Sequence, residues 1–284
     1  VEPESLGAAL KDMFAEHKLP RNVRVGIASQ RVVVRTIRLP LIEKHSELET
    51  AIRFQAAEQI PMPLDQAVLD WRVLEADLAL REARQMDVVV VAARRDTVAG
   101  FTNALRTAGL RPVGVDRSGV AMVRGLADAG LEDPPGPVGG EAGEVEPRPA
   151  PARLLCNLGD VTNLAVSRGG ACLFTRVSSF GIEGIAQRLA ERRELTLEHA
   201  RQWLIHVGLD QPAETVEGDP EIVEAARAAL LEGVAKLAGE MRLSLDYYGS
   251  QEGALAIEEI VICGAGTSIP GLAANLEREL GFGI

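Results

Sequence analysis

The sequence contains few aromatic residues and only three cysteines. Phe, Trp and Tyr together make up 4% of the 284 residues, so the core must be built mainly from Val, Leu, Ile and Ala. Cys156, Cys172 and Cys263 lie far apart and show no C-x-x-C spacing. A zinc site or a disulfide framework is therefore poorly supported, and a reducing cytoplasm fits this cysteine content best.

The sequence also lacks an excess of basic charge and any long apolar run. It has 30 Lys and Arg against 41 Asp and Glu, a net charge of -11, so the surface repels phosphate backbones and nucleic acid is not expected as a partner. The longest apolar run, Val88 to Ala93, is far below the roughly 20 residues that cross a bilayer. The sequence therefore predicts no membrane span.

The two ends and one internal segment stand out from the rest. The chain starts with a helical pattern at Val1–Leu6 and stops just after another helical pattern, so we expect a fragment cut at both ends. Residues 131–152 are rich in Pro, Gly and Glu and cannot bury enough apolar area to offset the entropy of ordering. We expect a flexible loop there.

Apolar periodicity and turn residues predict an α/β protein whose helices pack on mixed sheets. Predicted strands cover residues 23–28, 31–39, 67–74, 86–93, 111–116, 153–157, 162–167, 171–176 and 257–263; predicted helices cover 43–60, 96–108, 118–127, 184–190, 196–206, 220–248 and 270–280.

Two glycine-containing turns could contact a ligand. One lies between two predicted strands, and the other joins the last strand to the last helix. Glycine lets the backbone approach a ligand closely, and a helix N-terminus offers free N–H groups to anions. Both turns also have a purely conformational explanation, and neither matches a Rossmann or Walker motif. The candidate residues are Asn157, Gly159, Asp160, Thr162, Asn163, Gly264, Ala265, Gly266 and Thr267.

The order of these segments resembles the actin-like ATPase superfamily, in which they correspond to the second phosphate hairpin and the adenosine turn. Within it, the chain is similar to the PilM family of type IV pilus assembly. Seven matching stretches in the right order carry the resemblance: Val34–Pro40, Ala56–Leu64, Val90–Asp96, Ala108–Pro112 with Val115-Asp116, Leu173–Arg176, Arg242–Tyr248, and Cys263–Gly266 with Ile269–Leu272.

The resemblance implies an actin-like fold with an inserted small subdomain, as in FtsA. Residues 1–37 would be part of subdomain 1A, 38–115 the inserted subdomain 1C, 116–190 the rest of 1A, and 191–284 the second, incomplete half. It further implies ATP with Mg²⁺ as ligand and a cytoplasmic protein that is held at the inner membrane through a partner. The implied partners are the cytoplasmic N-terminal peptide of PilN and the pilus motor ATPases, and self-assembly is a further expectation.

Three residues depart from the family pattern. Asn157 stands where the family usually has an acid, and Arg201 and Leu204 replace an acid and a base expected to face the ribose. Because an amide cannot orient a Mg²⁺-bound water as a carboxylate does, we expect at most weak ATPase activity. Asp160 is a possible substitute. A nucleotide-free scaffold of a pilus, competence or type II secretion machine is the alternative, and a small-molecule kinase is disfavoured.

Overall fold

The structure, a computed structural model, describes residues 3–29, 31–74, 82–128, 152–168, 170–251 and 253–284. The chain divides into two compact units between Ala121 and Met122, which we call unit 1 and unit 2. The loop predicted at 131–152 lies outside the described residues, apart from Ala152, which begins a strand.

Unit 1 contains five strands and three complete helices among its described residues. In chain order they are α1 (Pro3–Glu16), β1 (Asn22–Ile27), β2 (Val32–Pro40), α2 (His45–Gln59), β3 (Ala67–Val73), β4 (Gln85–Arg94), α3 (Arg95–Thr107) and β5 (Arg111–Arg117), followed by the start of α4 (Ser118–Asp128).

An antiparallel sheet in the order β2-β4-β3 forms one layer of unit 1. Its central strand β4 is almost wholly apolar, and Val88 and Val90 are fully buried, as the sequence predicts. Helix α2 covers one face through Leu48 and Ile52, because its apolar residues recur every three or four positions. The sheet and α2 therefore share one small core.

A second, two-stranded sheet pairs β1 with β5 in parallel. Although β1 and β2 follow each other closely in sequence, they enter different sheets. The chain reaches β5 through α3, which ends before Gly109. That glycine adopts a left-handed φ of 76°, the conformation expected of a residue that terminates a helix.

Unit 2 contains four strands and four complete helices among its described residues. They are β6 (Ala152–Leu158), β7 (Thr162–Arg168), β8 (Ala171–Ser178), α5 (Ile182–Arg193), α6 (Leu197–Val207), α7 (Pro220–Gly249), β9 (Ile257–Cys263) and α8 (Leu272–Leu280). The longest helix, α7, begins with Pro220, and its N-cap Asp219 accepts a hydrogen bond from the backbone N–H of Glu221 at 2.9 Å.

The four strands form one sheet in the order β8-β7-β6-β9. Strands β6, β7 and β8 are antiparallel neighbours, and β9 lies parallel to β6. Alternate residues of β6 face opposite sides, as the period of a strand requires. Leu154 and Leu158 belong to the main core that also includes residues of α5 to α8, and Leu155 packs with Val123 of α4.

The expected subdomain boundary after residue 190 falls inside unit 2. Strands β6 to β8 precede that boundary in sequence and β9 follows it, yet all four are hydrogen-bonded into a single sheet. The assignment of family subdomains to stretches of this chain stays a prediction. None of the helices in the described ranges combines the length and the apolar composition that a membrane crossing requires.

Candidate functional site

The two glycine turns predicted from sequence lie side by side in unit 2. Strands β6 and β9 are parallel neighbours, with Asn157 paired in register with Cys263, so their carboxyl ends reach the same edge of the sheet. The turn after β6 and the turn after β9 therefore start next to each other. We call residues 157–161, 181–183 and 264–268 together the turn junction.

The turn between β6 and β7 is short and is held by the start of α5. It comprises Gly159 to Val161, and the backbone N–H of Ile182 donates to the carbonyl oxygen of Gly159 at 2.8 Å. A Cβ on Gly181 would lie 2.6 Å from the carbonyl oxygen of Asp160. Because only glycine allows that approach, Gly181 brings the N-terminus of α5 directly onto the turn.

The turn after β9 also depends on glycine. Gly264 has a φ of 91°, and Ala265 to Ser268 form one turn of 3-10 helix before Gly271 caps α8. Thr267 donates its hydroxyl hydrogen to the carbonyl oxygen of Gly264 at 2.8 Å, so this hydroxyl already has an acceptor. Gly264, Ala265 and Thr267 are exposed, whereas Gly266 is buried.

The side chain of Asn157 lies between the two turns. A Cβ on Gly264 would sit 2.5 Å from its Oδ1, and a Cβ on Gly159 would sit 3.3 Å from the same atom. Asn157 is half-buried, and its amide makes no hydrogen bond within the part of the chain that the structure describes. An amide in this position offers two N–H donors and one acceptor beside the exposed backbone of Gly264.

Thr162 and Asn163 are placed less favourably for a ligand. Thr162 is fully buried, on the same side of β7 as Leu164, and its Oγ1 has no hydrogen-bond partner among the described residues. In this arrangement the Thr162 side chain has no exposed surface to offer a ligand, and its assignment to the site stays a prediction. Asn163 is paired with Asn157 in register and is 9% exposed.

The remaining acid of the hairpin, Asp160, is exposed at the turn. Its carboxylate makes no ion pair or hydrogen bond with another described residue. Its carboxylate is therefore open to water, and no described side chain fixes its direction.

An ion pair occupies the first turn of α5. Arg201 of α6 donates from Nε and Nη2 to the carboxylate of Glu183, with distances of 2.7 to 3.0 Å, and its Nη1 reaches Glu198 at 3.4 Å. The hydrogen bond to Glu183 holds the pKa of the Arg201 guanidinium above its ordinary value. Both charges are thus satisfied before any ligand arrives.

Leu204, the second position where the family pattern is broken, is 1% exposed and belongs to the main core of unit 2. The sequence indicated that an acid and a base were missing here. It did not reveal that Arg201 pairs with Glu183, because 18 residues and a helix boundary separate the two, so no local spacing signals the contact.

The two cysteines nearest the turn junction, Cys156 and Cys263, lie in environments that make their thiols unreactive. Burial raises the pKa of the Cys156 thiol, which is fully buried, and burial also raises the pKa of Cys263. All three cysteines are free. Thiolate chemistry at neutral pH therefore has no support at this edge of the sheet.

Comparison with known proteins agrees with the resemblance seen in the sequence. A family model described as type IV pilus assembly protein PilM matches residues 2–132. The solved PilM-PilN type IV pilus biogenesis complex contains a chain that is 28% identical, with a TM-score of 0.73; the match covers 99% of this chain and 73% of that one.

Other solved structures show a more distant similarity to part of the chain. MreB5 of Spiroplasma citri bound to ADP is 13% identical with a TM-score of 0.46, and the match covers 66% of this chain and 58% of that one. The ethanolamine utilization protein EutJ from Carboxydothermus hydrogenoformans is 16% identical with a TM-score of 0.39, covering 65% and 53%.

Unit 2 has three antiparallel strands, helices that follow them, and a fourth strand parallel to the first, which is an α/β arrangement of the actin-like class. The match to the PilM structure over nearly the whole chain extends that fold class to the protein. The family model and the PilM structure make the assignment narrower. Residues 2–132 match the PilM family model, and the chain is similar to PilM of the solved complex over 99% of its length.

Proposed function

We propose that this protein works in type IV pilus assembly by binding the cytoplasmic N-terminal peptide of a PilN-type membrane protein. The similarity over 99% of the chain to the PilM chain of the PilM-PilN complex carries this proposal. The partner would supply the attachment to the inner membrane, and the protein itself would be a cytoplasmic, peripheral component of the assembly platform.

We place the peptide in unit 1, in a groove bordered by the predicted inserted subdomain. Both candidate walls belong to that unit: the sheet β2-β4-β3 with α2, and the parallel pair β1-β5 with α1 and α3. A short extended peptide can add main-chain hydrogen bonds at a sheet edge and anchor its apolar side chains between two layers.

Hydrogen exchange with and without the cognate PilN peptide tests this placement. Slower exchange is expected in segments of residues 3–121 on both sides of the groove, because bound backbone amides are protected. A scrambled peptide of the same composition is the control. Protection confined to unit 2, or protection equal to that from the scrambled peptide, would contradict the placement.

We further propose that the turn junction binds the phosphates of ATP. The supporting features are the N-terminus of α5 at the hairpin turn, the exposed Gly264 with its left-handed φ, and the unpartnered amide of Asn157. These backbone and amide donors fit an anion. A bound nucleotide would contact both turns, so it would shift the protein toward conformations in which they are held together.

The nucleotide-free scaffold is the second candidate function. Arg201 is already paired with Glu183, and Leu204 is part of the core, so neither supplies the acid or the base that the family pattern places at the ribose. In that case, the turn junction would only stabilise the fold, and the protein would act through protein contacts alone.

Thermal unfolding with ATP separates these candidates. A ligand present at 100 times its dissociation constant stabilises a protein by about 2.7 kcal/mol, which is several degrees for a chain of this size. The nucleotide role predicts a shift that saturates with ATP. An unchanged midpoint at millimolar ATP, both with and without the PilN peptide, supports the scaffold.

We also propose contacts with the pilus motor ATPases and with further copies of the chain, on the strength of the similarity to PilM alone. Light scattering after size exclusion tests self-assembly, since a concentration-dependent mass is expected if copies associate. Co-purification with the cognate motor ATPase tests the other contact. A constant monomer mass and no retained motor ATPase would contradict both.

A further inference from the structure

The residues at the turn junction do not fit a magnesium ion. Mg²⁺ binds proteins through one or two carboxylates together with phosphates and water. The described residues contain no group of three or more His, Cys, Asp or Glu that could hold a metal. The residue closest to both turns is Asn157, a neutral amide.

The two carboxylates at the junction are unsuited to replace an acid at position 157. Glu183 shares both of its oxygens with Arg201, and displacing it would leave that cation unpaired. Asp160 is exposed and unrestrained, so it can meet a hydrated ion only as any surface carboxylate can.

The amide of Asn157 has what a metal-free anion site requires. Its Oδ1 faces Gly264 and Gly159, so its nitrogen, with two hydrogens, is the group left to donate to a ligand. No hydrogen bond within the described part of the chain uses those hydrogens. A neutral donor beside backbone N–H groups binds a phosphate oxygen directly, whereas a carboxylate there would repel it unless a cation lay between them.

We infer that the turn junction binds its nucleotide without a divalent metal ion, with the Asn157 amide donating to a phosphate oxygen. The inference rests on the proposed nucleotide role of unit 2. It implies that nucleotide serves here as a bound ligand, and that the protein does not depend on cellular magnesium to hold it.

Calorimetric titration of the intact chain with ATP, once in excess EDTA and once in excess MgCl₂, tests the inference. The expected dissociation constants differ by less than about threefold. Binding that is tenfold or more weaker in EDTA overturns the metal-free site but leaves the nucleotide role standing. No binding under either condition overturns the nucleotide role and the inference with it.

Charge variants test the side chains of Asn157 and Asp160 separately. In Asn157→Asp, affinity for ATP in EDTA should fall at least about tenfold, and MgCl₂ should restore part of it. Asn103→Asp, the same change on the exposed side of α3, should leave both affinities unchanged. In Asp160→Asn, the dissociation constants in EDTA and in MgCl₂ should still agree to within about threefold, because Asp160 holds no metal ion in this account. An Asn157→Asp chain that keeps its affinity in EDTA, or magnesium dependence that disappears in Asp160→Asn, overturns the assignment.

The wild-type titrations decide the question even if the Asn157→Asp chain does not fold. Its far-ultraviolet circular dichroism spectrum and unfolding midpoint are measured first. If they show an unfolded chain, Asn157→Ser takes its place, because serine keeps a neutral donor and should bind ATP equally in EDTA and in MgCl₂. A serine chain that binds only with MgCl₂ contradicts the inference.

Discussion

At the residue scale, the turn junction is held by glycines that permit close approaches and by one amide between them. The sequence predicted which glycines mark the turns, since strand-to-strand and strand-to-helix turns need residues that tolerate positive φ. It also predicted Asn157 as a candidate residue of the ligand site. It could not predict that Oδ1 of Asn157 lies 2.5 Å from where a Cβ on Gly264 would be, because this proximity depends on β6 and β9 being parallel neighbours.

Replacing Gly264 by alanine should destabilise the protein. Its φ of 91° disfavours any L side chain, and the new Cβ would lie 2.5 Å from Asn157 Oδ1. We expect a loss of about 1–3 kcal/mol in the free energy of unfolding, measured from urea denaturation. Gly239→Ala in α7 is the control, since nothing lies within 4 Å of the added carbon and the change favours helix by up to about 1 kcal/mol. Equal effects of the two variants would contradict this account.

Asp96, in the first turn of α3, should titrate well below an ordinary carboxyl. A hydrogen bond from Arg94 lowers the pKa of Asp96 to about 2, and the backbone N–H of Thr97 adds to the effect. Because the folded pKa lies below the unfolded value of about 3.9, this contribution to stability is present above pH 4 and is lost as the pH falls toward 2.

The pKa of Asp96 is measured by following its carboxyl carbon by NMR as the pH is lowered. In Arg94→Gln the value should return toward 3.9, whereas Arg53→Gln, which removes a cation from a distant helix, should leave it unchanged. A wild-type pKa at or above the ordinary value would show that the ion pair does not persist in solution.

At the scale of elements, helices and strands were predicted to within about two residues at most boundaries, because apolar periodicity and the Pro and Gly positions determine them locally. Partners were not. β1 pairs with β5, some ninety residues later in the chain, and β2 pairs with β4 in another sheet. Pairing depends on which apolar faces meet in three dimensions, and a single sequence does not record that.

The crossing of α5 and α7 gives a prediction at this scale. Gly233 of α7 lies against the fully buried Ile185 of α5, where a Cβ would be 2.7 Å from Ile185 Cγ1. Gly233→Ala should overpack the crossing and cost about 1–3 kcal/mol. Shortening the neighbour in Ile185→Val should recover part of that cost, so the double variant should be more stable than the sum of the single changes predicts.

Denaturant unfolding of the four chains in this double-mutant cycle measures the coupling. A coupling of at least about 0.5 kcal/mol in the favourable direction is expected. Strictly additive effects would mean that residues 233 and 185 are not in steric contact, and the close packing of α5 against α7 would then be contradicted.

At the scale of the whole molecule, charge is distributed unevenly. Residues 1–121 contain 17 basic and 16 acidic residues, so the remaining 163 contain 13 and 25. Unit 2 therefore carries a net charge of -12, while unit 1, where we place the peptide, carries +1. An apolar peptide meets little repulsion there, and a nucleic acid gains no extended basic surface.

Titration of a fluorescein-labelled DNA duplex at low salt tests whether the protein attracts nucleic acid. No saturable change in anisotropy is expected, because counterion release requires a row of Lys and Arg against the phosphates. Saturable binding that weakens steeply with added salt would contradict this reading of the charge.

The most direct test of the central claim is an anisotropy titration of a fluorescently labelled peptide from the N-terminus of the cognate PilN with the intact chain. We expect saturable binding, competition by the unlabelled peptide, and no competition by its scrambled version. If the peptide shows no saturable binding, or if the scrambled peptide competes equally well, the proposed role in pilus assembly is contradicted.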